Sequence, residues 1–268
     1  MKGSGPDTEL PIGNVDEVGS STTEPLYRRA LRRLRRGFDA LLPPPETVNF
    51  TGPHGCLRAG ASFVTWNQIE GDYLEFGVAG GESFVAAARA LIAGRAMHVE
   101  LGFDSPDYER WKDSPPRFFA FDSFQGLPSG ECARHVDYES GAYAASEAAF
   151  RANVARGGVP MDRLIAVPGL YQDTLTTATK SDLGLTAAAM VMVDCDLYES
   201  TVPVLDFITD LVVQGTIVVF HDWFRFRGRP DHGEQRACRE WLARNPHLEL
   251  IEFWREAPQA VSFLVNLR

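Results

Sequence analysis

The chain has 268 residues, 44% of them apolar, with a formal net charge of -10 and an isoelectric point near 5.1. That length and apolar content suit one α/β core, and the acidic balance argues against general nucleic-acid binding or an anionic membrane surface. No apolar run reaches the roughly 18 residues of a membrane span, and the polar, acidic start does not read as a signal peptide.

Residues 1–22 carry Gly, Ser, Thr, Pro and acids, and are expected to form a mobile N-terminal arm. Residues 23–70 are expected to be a helical extension. Within it, Glu24 to Leu42 spaces Leu26, Leu31, Leu34 and Phe38 as a helix does, with Arg28, Arg29, Arg32, Arg33, Arg35 and Arg36 opposite. In so acidic a chain this basic stripe reads as a solvated face, on a helix packed against the domain or a second subunit. A short helix is expected between 46 and 70. The rest, 71–268, reads as one domain.

That domain is organised around Asp72-Tyr73-Leu74-Glu75-Phe76-Gly77-Val78-Ala79-Gly80-Gly81-Glu82-Ser83. A short apolar strand runs into a glycine-rich turn and then an Ala-rich helix, predicted over 83–92. The glycines allow close backbone approach to a ligand, and the helix start offers free N–H groups. Glu75 disfavours a pyrophosphate and suits a cationic or hydroxyl-bearing ligand such as S-adenosylmethionine. Residues 94–116 form an insertion, expected to be a cover over the ligand or oligomer packing.

Further strands are predicted over 117–121, ending at Asp122, then 163–167, 188–193 and 216–220. An acid ending the second strand is where α/β nucleotide folds hold ribose hydroxyls. The run at 188–193 is continuously apolar, as a strand buried on both faces should be, and ends in Asp194-Cys195-Asp196. The strand at 216–220 ends in His221-Asp222-Trp223. Helices are expected over 143–154, 201–213 and 234–243, and two closing apolar runs, 248–254 and 260–267, read as an antiparallel hairpin. The prediction is a seven-stranded, mostly parallel Rossmann-like α/β sheet with helices on both faces and Glu75, Asp122, Asp194, Asp196 and Asp222 at the carboxyl ends of its strands. Cys56, Cys132, Cys195 and Cys238 form no CxxC pair and read as reduced thiols of a cytoplasmic protein.

Taken together, Glu75-Phe76-Gly77-Val78-x-x-Gly81-Glu82-Ser83, Phe121-Asp122-Ser123-Phe124-x-Gly126-Leu127-Pro128, Val167-Pro168-Gly169, Asp194-Cys195-Asp196-Leu197-Tyr198-Glu199-Ser200-Thr201 and Asp222-Trp223 resemble the macrocin O-methyltransferase (TylF/MycF-type) family over about residues 70–245. Those are class I enzymes that use S-adenosylmethionine to methylate hydroxyls on sugars of natural products. The resemblance implies that Gly77, Gly81 and Ser83, with Glu75 nearby, line the methionine end of the cofactor. It implies Asp122 on the ribose, Ser123 beside the adenosine, and Asp194 near both cofactor and metal. It implies a divalent-ion site at Asp194, His221 and Asp222, and Asp196 as general base. It also implies a small hydroxylated acceptor and a homo-oligomer.

His221 departs from the family, which has an aspartate there. Three carboxylates suit Mg²⁺, whereas an imidazole shifts preference toward ions such as Mn²⁺, or leaves a metal-free site with His221 as base. Plainer roles stand beside these: Asp194 and Asp196 as caps of the following helix, Asp122 as a turn residue, His221 as structural. Two other function classes remain: a nicotinamide-dependent oxidoreductase, against which the glycine spacing counts, and a non-catalytic interaction protein on a cofactor fold.

Overall fold

The computed structural model describes residues 54–102, 105–128 and 139–268. The arm at 1–22, the basic helix at 24–42 and Cys132 lie outside them. Helix α1 spans Gly55–Trp66, within the stretch where a short helix was expected. Then come β1 (Asp72–Phe76), α2 (Glu82–Leu101), α3 (Pro106–Asp113), β2 (Phe118–Asp122), α4 (Glu147–Arg156) and β3 (Leu164–Pro168). They are followed by α5 (Tyr171–Thr174), α6 (Thr177–Leu183), β4 (Ala188–Val193), α7 (Tyr198–Ile208) and β5 (Val212–Phe220). The chain closes with α8 (Gly233–Arg244), β6 (Leu248–Glu256) and β7 (Ala260–Leu267).

The seven strands form one sheet in the order β3-β2-β1-β4-β5-β7-β6. The first five run parallel, and β7 is antiparallel to both β5 and β6. This is the Rossmann-like α/β sheet and closing hairpin that the sequence predicted. The order reverses between β1 and β4, the switch point outside whose carboxyl ends such sheets hold ligands. Alternate residues divide the core. Leu74, Phe76, Phe121, Val191, Val193 and Phe220 face one layer with Trp241 of α8, and Tyr73, Phe118, Met190, Met192 and Val219 face the other with Phe84 of α2.

Several helices depart from the predicted spans. Helix α2 runs through Gly94, which reads as a breaker in sequence. A Cβ there would stand 2.7 Å from Thr65 Oγ1, so the glycine serves the close approach of α1 to α2. The 94–116 insertion is therefore the end of α2 plus α3, which is capped by Ser105 and begins at Pro106. Helix α4 starts at Glu147 rather than 143, behind a Ser146 cap whose oxygen accepts from the Ala149 N–H at 3.2 Å. Helix α7 begins at Tyr198 and ends at Ile208, leaving Val212 and Val213 to β5. Gln172-Asp173-Thr174, which read as a turn, fall in the single helical turn of α5, and α6 follows at Thr177–Leu183.

Candidate functional site

A cavity of about 400 Å³ opens at the carboxyl ends of the strands. The turns after β1, β2, β4 and β5 supply Gly77, Asp122, Ser123, Asp194, Asp196, His221 and Asp222 to its lining. The insertion lies elsewhere. Arg110 of α3 pairs with Glu70, and Trp111 shares a small cleft with Gly71, Asp72 and Ala189 at the amino ends of β1 and β4. Of its two expected roles, cover over the ligand is thus not the one the fold gives it.

Gly77 leaves β1 with φ 84°, and a Cβ on it would stand 1.8 Å from the carbonyl oxygen of Asp194. Only glycine allows the turns after β1 and β4 to touch. Asp122 fastens the same turn: its Oδ2 accepts the N–H groups of Val78 at 2.8 Å and Ala79 at 3.1 Å, and its Oδ1 accepts that of Phe124 at 2.7 Å. It is a tie between the β1 and β2 turns as well as part of the cavity wall.

Glu75, Gly81 and Ser83 do not line the cavity. Glu75 is fully buried, and its two oxygens accept from the Tyr73 hydroxyl and, at 2.5 Å, from Ser83 Oγ. Burial outweighs both contacts and pushes its carboxyl up to about 8. Gly81 holds φ 86° at the α2 N-cap, where a Cβ would press to 2.9 Å of Phe150.

The acids after β4 and β5 do converge. The Asp222 side chain is within hydrogen-bonding reach of Asp194 and Asp196. His221 Nδ1 stands 2.9 Å from Asp194 Oδ1 and 3.6 Å from Asp222 Oδ1. Burial opposes charge on this imidazole, but the two carboxylates prevail and raise it to about 11. Asp194 is shifted upward by burial and by Asp222, while His221 relieves it. Asp222 is shifted downward: burial acts against this, but His221, Asp196 and Arg225 outweigh it. The capping role weighed for Asp194 and Asp196 is not what the structure gives. The N-cap of α7 is Leu197 and no side chain caps it, while Asp196 takes a left-handed φ of 59°.

Asp194, His221 and Asp222 offer one ligand atom each within 4.8 Å of one another. Among the described residues, His221 Nδ1 and Asp222 Oδ2 are buried with no aligned hydrogen-bond partner. Two carboxylates and an imidazole beside the unpartnered Asp222 Oδ2 fit a divalent cation that takes the place of the His221 proton, with more affinity for Mn²⁺ than an all-oxygen set would have.

Three contributors carried no signal in the sequence. Arg225 donates through Nε to Asp222 Oδ1 at 3.1 Å. Gln259, with its amide oxygen turned toward that guanidinium, accepts from it at 2.6 Å. Glu234 is buried and accepts the Asp222 N–H at 3.0 Å. Burial, reinforced by the negative charges of Asp222 and Asp194, holds its carboxyl well above the usual range. An acid in a helix's first turn reads in sequence as a partner of the helix dipole, so nothing marked Glu234 out.

Comparison with known proteins converges on this fold. A curated Streptomyces olivaceus protein, 8-demethyl-8-(2,3-dimethoxy-alpha-L-rhamnosyl)-tetracenomycin-C 4'-O-methyltransferase, is 32% identical over 118 residues, 41% of this chain and 43% of the relative. The matched stretch thus spans less than half of that relative's length. Among solved structures, the O-methyltransferase NovP superposes with a TM-score of 0.58 at 23% identity, over 80% of this chain and 79% of that one. The calicheamicin methyltransferase CalS11 gives 0.56 at 21%, over 95% and 99%. At those identities the likeness establishes the fold. The macrocin-O-methyltransferase (TylF) family model matches residues 109–236, from α3 to the start of α8, taking in Asp122 and the whole acid cluster but starting downstream of the glycine turn. Over that segment the chain is similar to the macrocin-O-methyltransferase (TylF) family.

Proposed function

We propose that this protein is an S-adenosylmethionine-dependent O-methyltransferase acting on a hydroxyl of a small metabolite, a sugar of a glycosylated natural product. One observation carries the reading. The Gly77 turn, Asp122 and the Asp194–Asp196–His221–Asp222 cluster border a single cavity at the switch point of the sheet. In support stand the match of residues 109–236 to the macrocin-O-methyltransferase (TylF) family model and the name of the Streptomyces relative, which methylates a rhamnosyl-bearing compound.

In this reading the Gly77 turn lets backbone approach the methionine part of the cofactor, Asp122 holds the ribose, and Ser123 lies beside the adenosine. The acceptor hydroxyl sits over the acid cluster. Its oxygen attacks the methyl carbon in line as the carbon–sulfur bond breaks, S-adenosylhomocysteine leaves, and the hydroxyl proton passes to Asp196. Asp194, His221 and Asp222 would hold a divalent ion, which when bound acidifies and orients the acceptor hydroxyl. Glu75, Gly81 and Ser83 shape the turn from behind.

Calorimetry with S-adenosylhomocysteine tests the cofactor: saturable micromolar binding is expected, and no binding at high micromolar ligand defeats the proposal. Asp196→Asn is expected to keep that affinity while methyl transfer to a rhamnosylated acceptor falls roughly 10²- to 10⁴-fold.

A further inference from the structure

We infer that Glu234 is a positioning residue that sets Asp222 for cation binding, an inference that rests on the metal reading above. Glu234 stands in the first turn of α8, where an acid ordinarily serves the N–H groups of its own helix. Here its Oε2 reaches twelve residues back to the Asp222 N–H instead, and the α8 N-cap, His232, makes no side-chain cap. Gln235 completes the hold: its Nε2 donates to the Trp223 carbonyl at 2.6 Å. The first turn of α8 thereby grips residues 222–223 by an N–H at one end and a C=O at the other.

This grip fixes a backbone that otherwise has every reason to move. Residues 221–223 follow the end of β5 and carry two of the three candidate ligands. Gly233, with φ 50°, brings the helix start down onto Phe226, where a Cβ would stand 2.8 Å from the ring. Glu234 is 1% exposed, so no solvent replaces it as acceptor of the Asp222 N–H. Ligand carboxylates are held by outer hydrogen bonds nearly as critical as the ligands themselves. The positioning role needs an oxygen at this place and not a negative charge.

The test is Mn²⁺ binding to the full chain with S-adenosylhomocysteine bound, followed by the loss of the free-Mn²⁺ electron paramagnetic resonance signal. Glu234→Leu fills the space without an acceptor and is expected to weaken Mn²⁺ roughly 10- to 100-fold. Glu234→Gln keeps an acceptor oxygen and is expected to stay within about threefold of the native protein. Affinity for S-adenosylhomocysteine should be unchanged in both, which also certifies that the variants fold. If the folded Leu variant binds Mn²⁺ like the native protein, the positioning role is overturned while the metal site stands. The same holds if Gln is as damaging as Leu, because charge rather than placement would then matter. If Leu fails to bind S-adenosylhomocysteine, the Gln variant decides: near-native Mn²⁺ binding upholds the role, and a loss of tenfold or more overturns it. If the native protein binds no Mn²⁺, the metal reading and this inference fall together.

Discussion

At the amino ends of the strands, Asp72 of β1 accepts from the Arg117 N–H at 2.8 Å and from its guanidinium at 2.6 Å, and the same guanidinium donates to the Leu183 carbonyl at 2.7 Å. Nearby, Arg95 lies 4.0 Å over the ring of buried Trp111. At the carboxyl ends of the same sheet, Asp194, Asp196 and Asp222 crowd together around one histidine, and Asp222 Oδ2, His221 Nδ1 and Glu234 Oε1 are buried without aligned partners. Both ends bring charged groups out of water. One end matches them within the chain. The other leaves Asp222 Oδ2 unmatched at the wall of a cavity, where an incoming ligand supplies a partner.

The sharpest way to break this contrast is to push the two central turns apart. Gly77→Ala puts a methyl 1.8 Å from the Asp194 carbonyl oxygen at a φ that L-residues disfavour. The turns after β1 and β4 must separate, so both the cofactor turn and the acid cluster lose their geometry. The expected outcome is loss of S-adenosylhomocysteine affinity of roughly 100-fold or more, together with a lowered melting temperature, read by calorimetry and thermal unfolding. A variant that binds normally would mean the close approach at the rim is dispensable.

Much of the rim was legible in the chain because its signals are local. Continuous apolar runs mark β4 and β5, and an acid follows each within two residues. Asp194, Asp196 and Asp222 needed only the topology to meet. What escaped depends on contacts between distant segments. Gly94 looks like a helix breaker until Thr65 is seen against it. Glu234 looks like a dipole partner until the Asp222 N–H, twelve residues away, is found on it. The surroundings of Glu75 escaped in the same way: sequence shows a carboxylate beside glycines, but not that it is buried with Tyr73 and Ser83 hydrogen-bonded to its two oxygens.

Perturbing the opposite end should leave the site alone. Trp111 is 3% exposed, and its ring packs on Arg95, His98 and Tyr108. Trp111→Ala is expected to destabilise the domain by about 3 kcal/mol, measured by denaturant unfolding. Affinity for S-adenosylhomocysteine and the turnover of the folded fraction should not change, because no group of α3 reaches the cavity. A selective fall in turnover at unchanged stability would tie the insertion to catalysis and blur the division between the two ends.

The smallest expected effect concerns Glu75, which sits at the rim yet behaves like a core residue. Burial lifts its carboxyl to about 8, well above an ordinary glutamate. A carboxyl raised on folding binds its proton more tightly in the native state. Its contribution to stability is therefore complete below the unfolded value near 4.5 and is lost as pH climbs through about 8. Glu75→Gln fills the same space without titrating. The melting temperature of the native protein, relative to this variant and without ligand, should fall by several degrees between about pH 6 and pH 9. Affinity for S-adenosylhomocysteine should meanwhile differ by less than about twofold between the two, since Glu75 does not line the cavity. A flat melting difference together with a large loss of affinity would mean that Glu75 is a charged contact to the ligand. It would then belong with the unmatched acids of the rim, and not with the satisfied interior behind them.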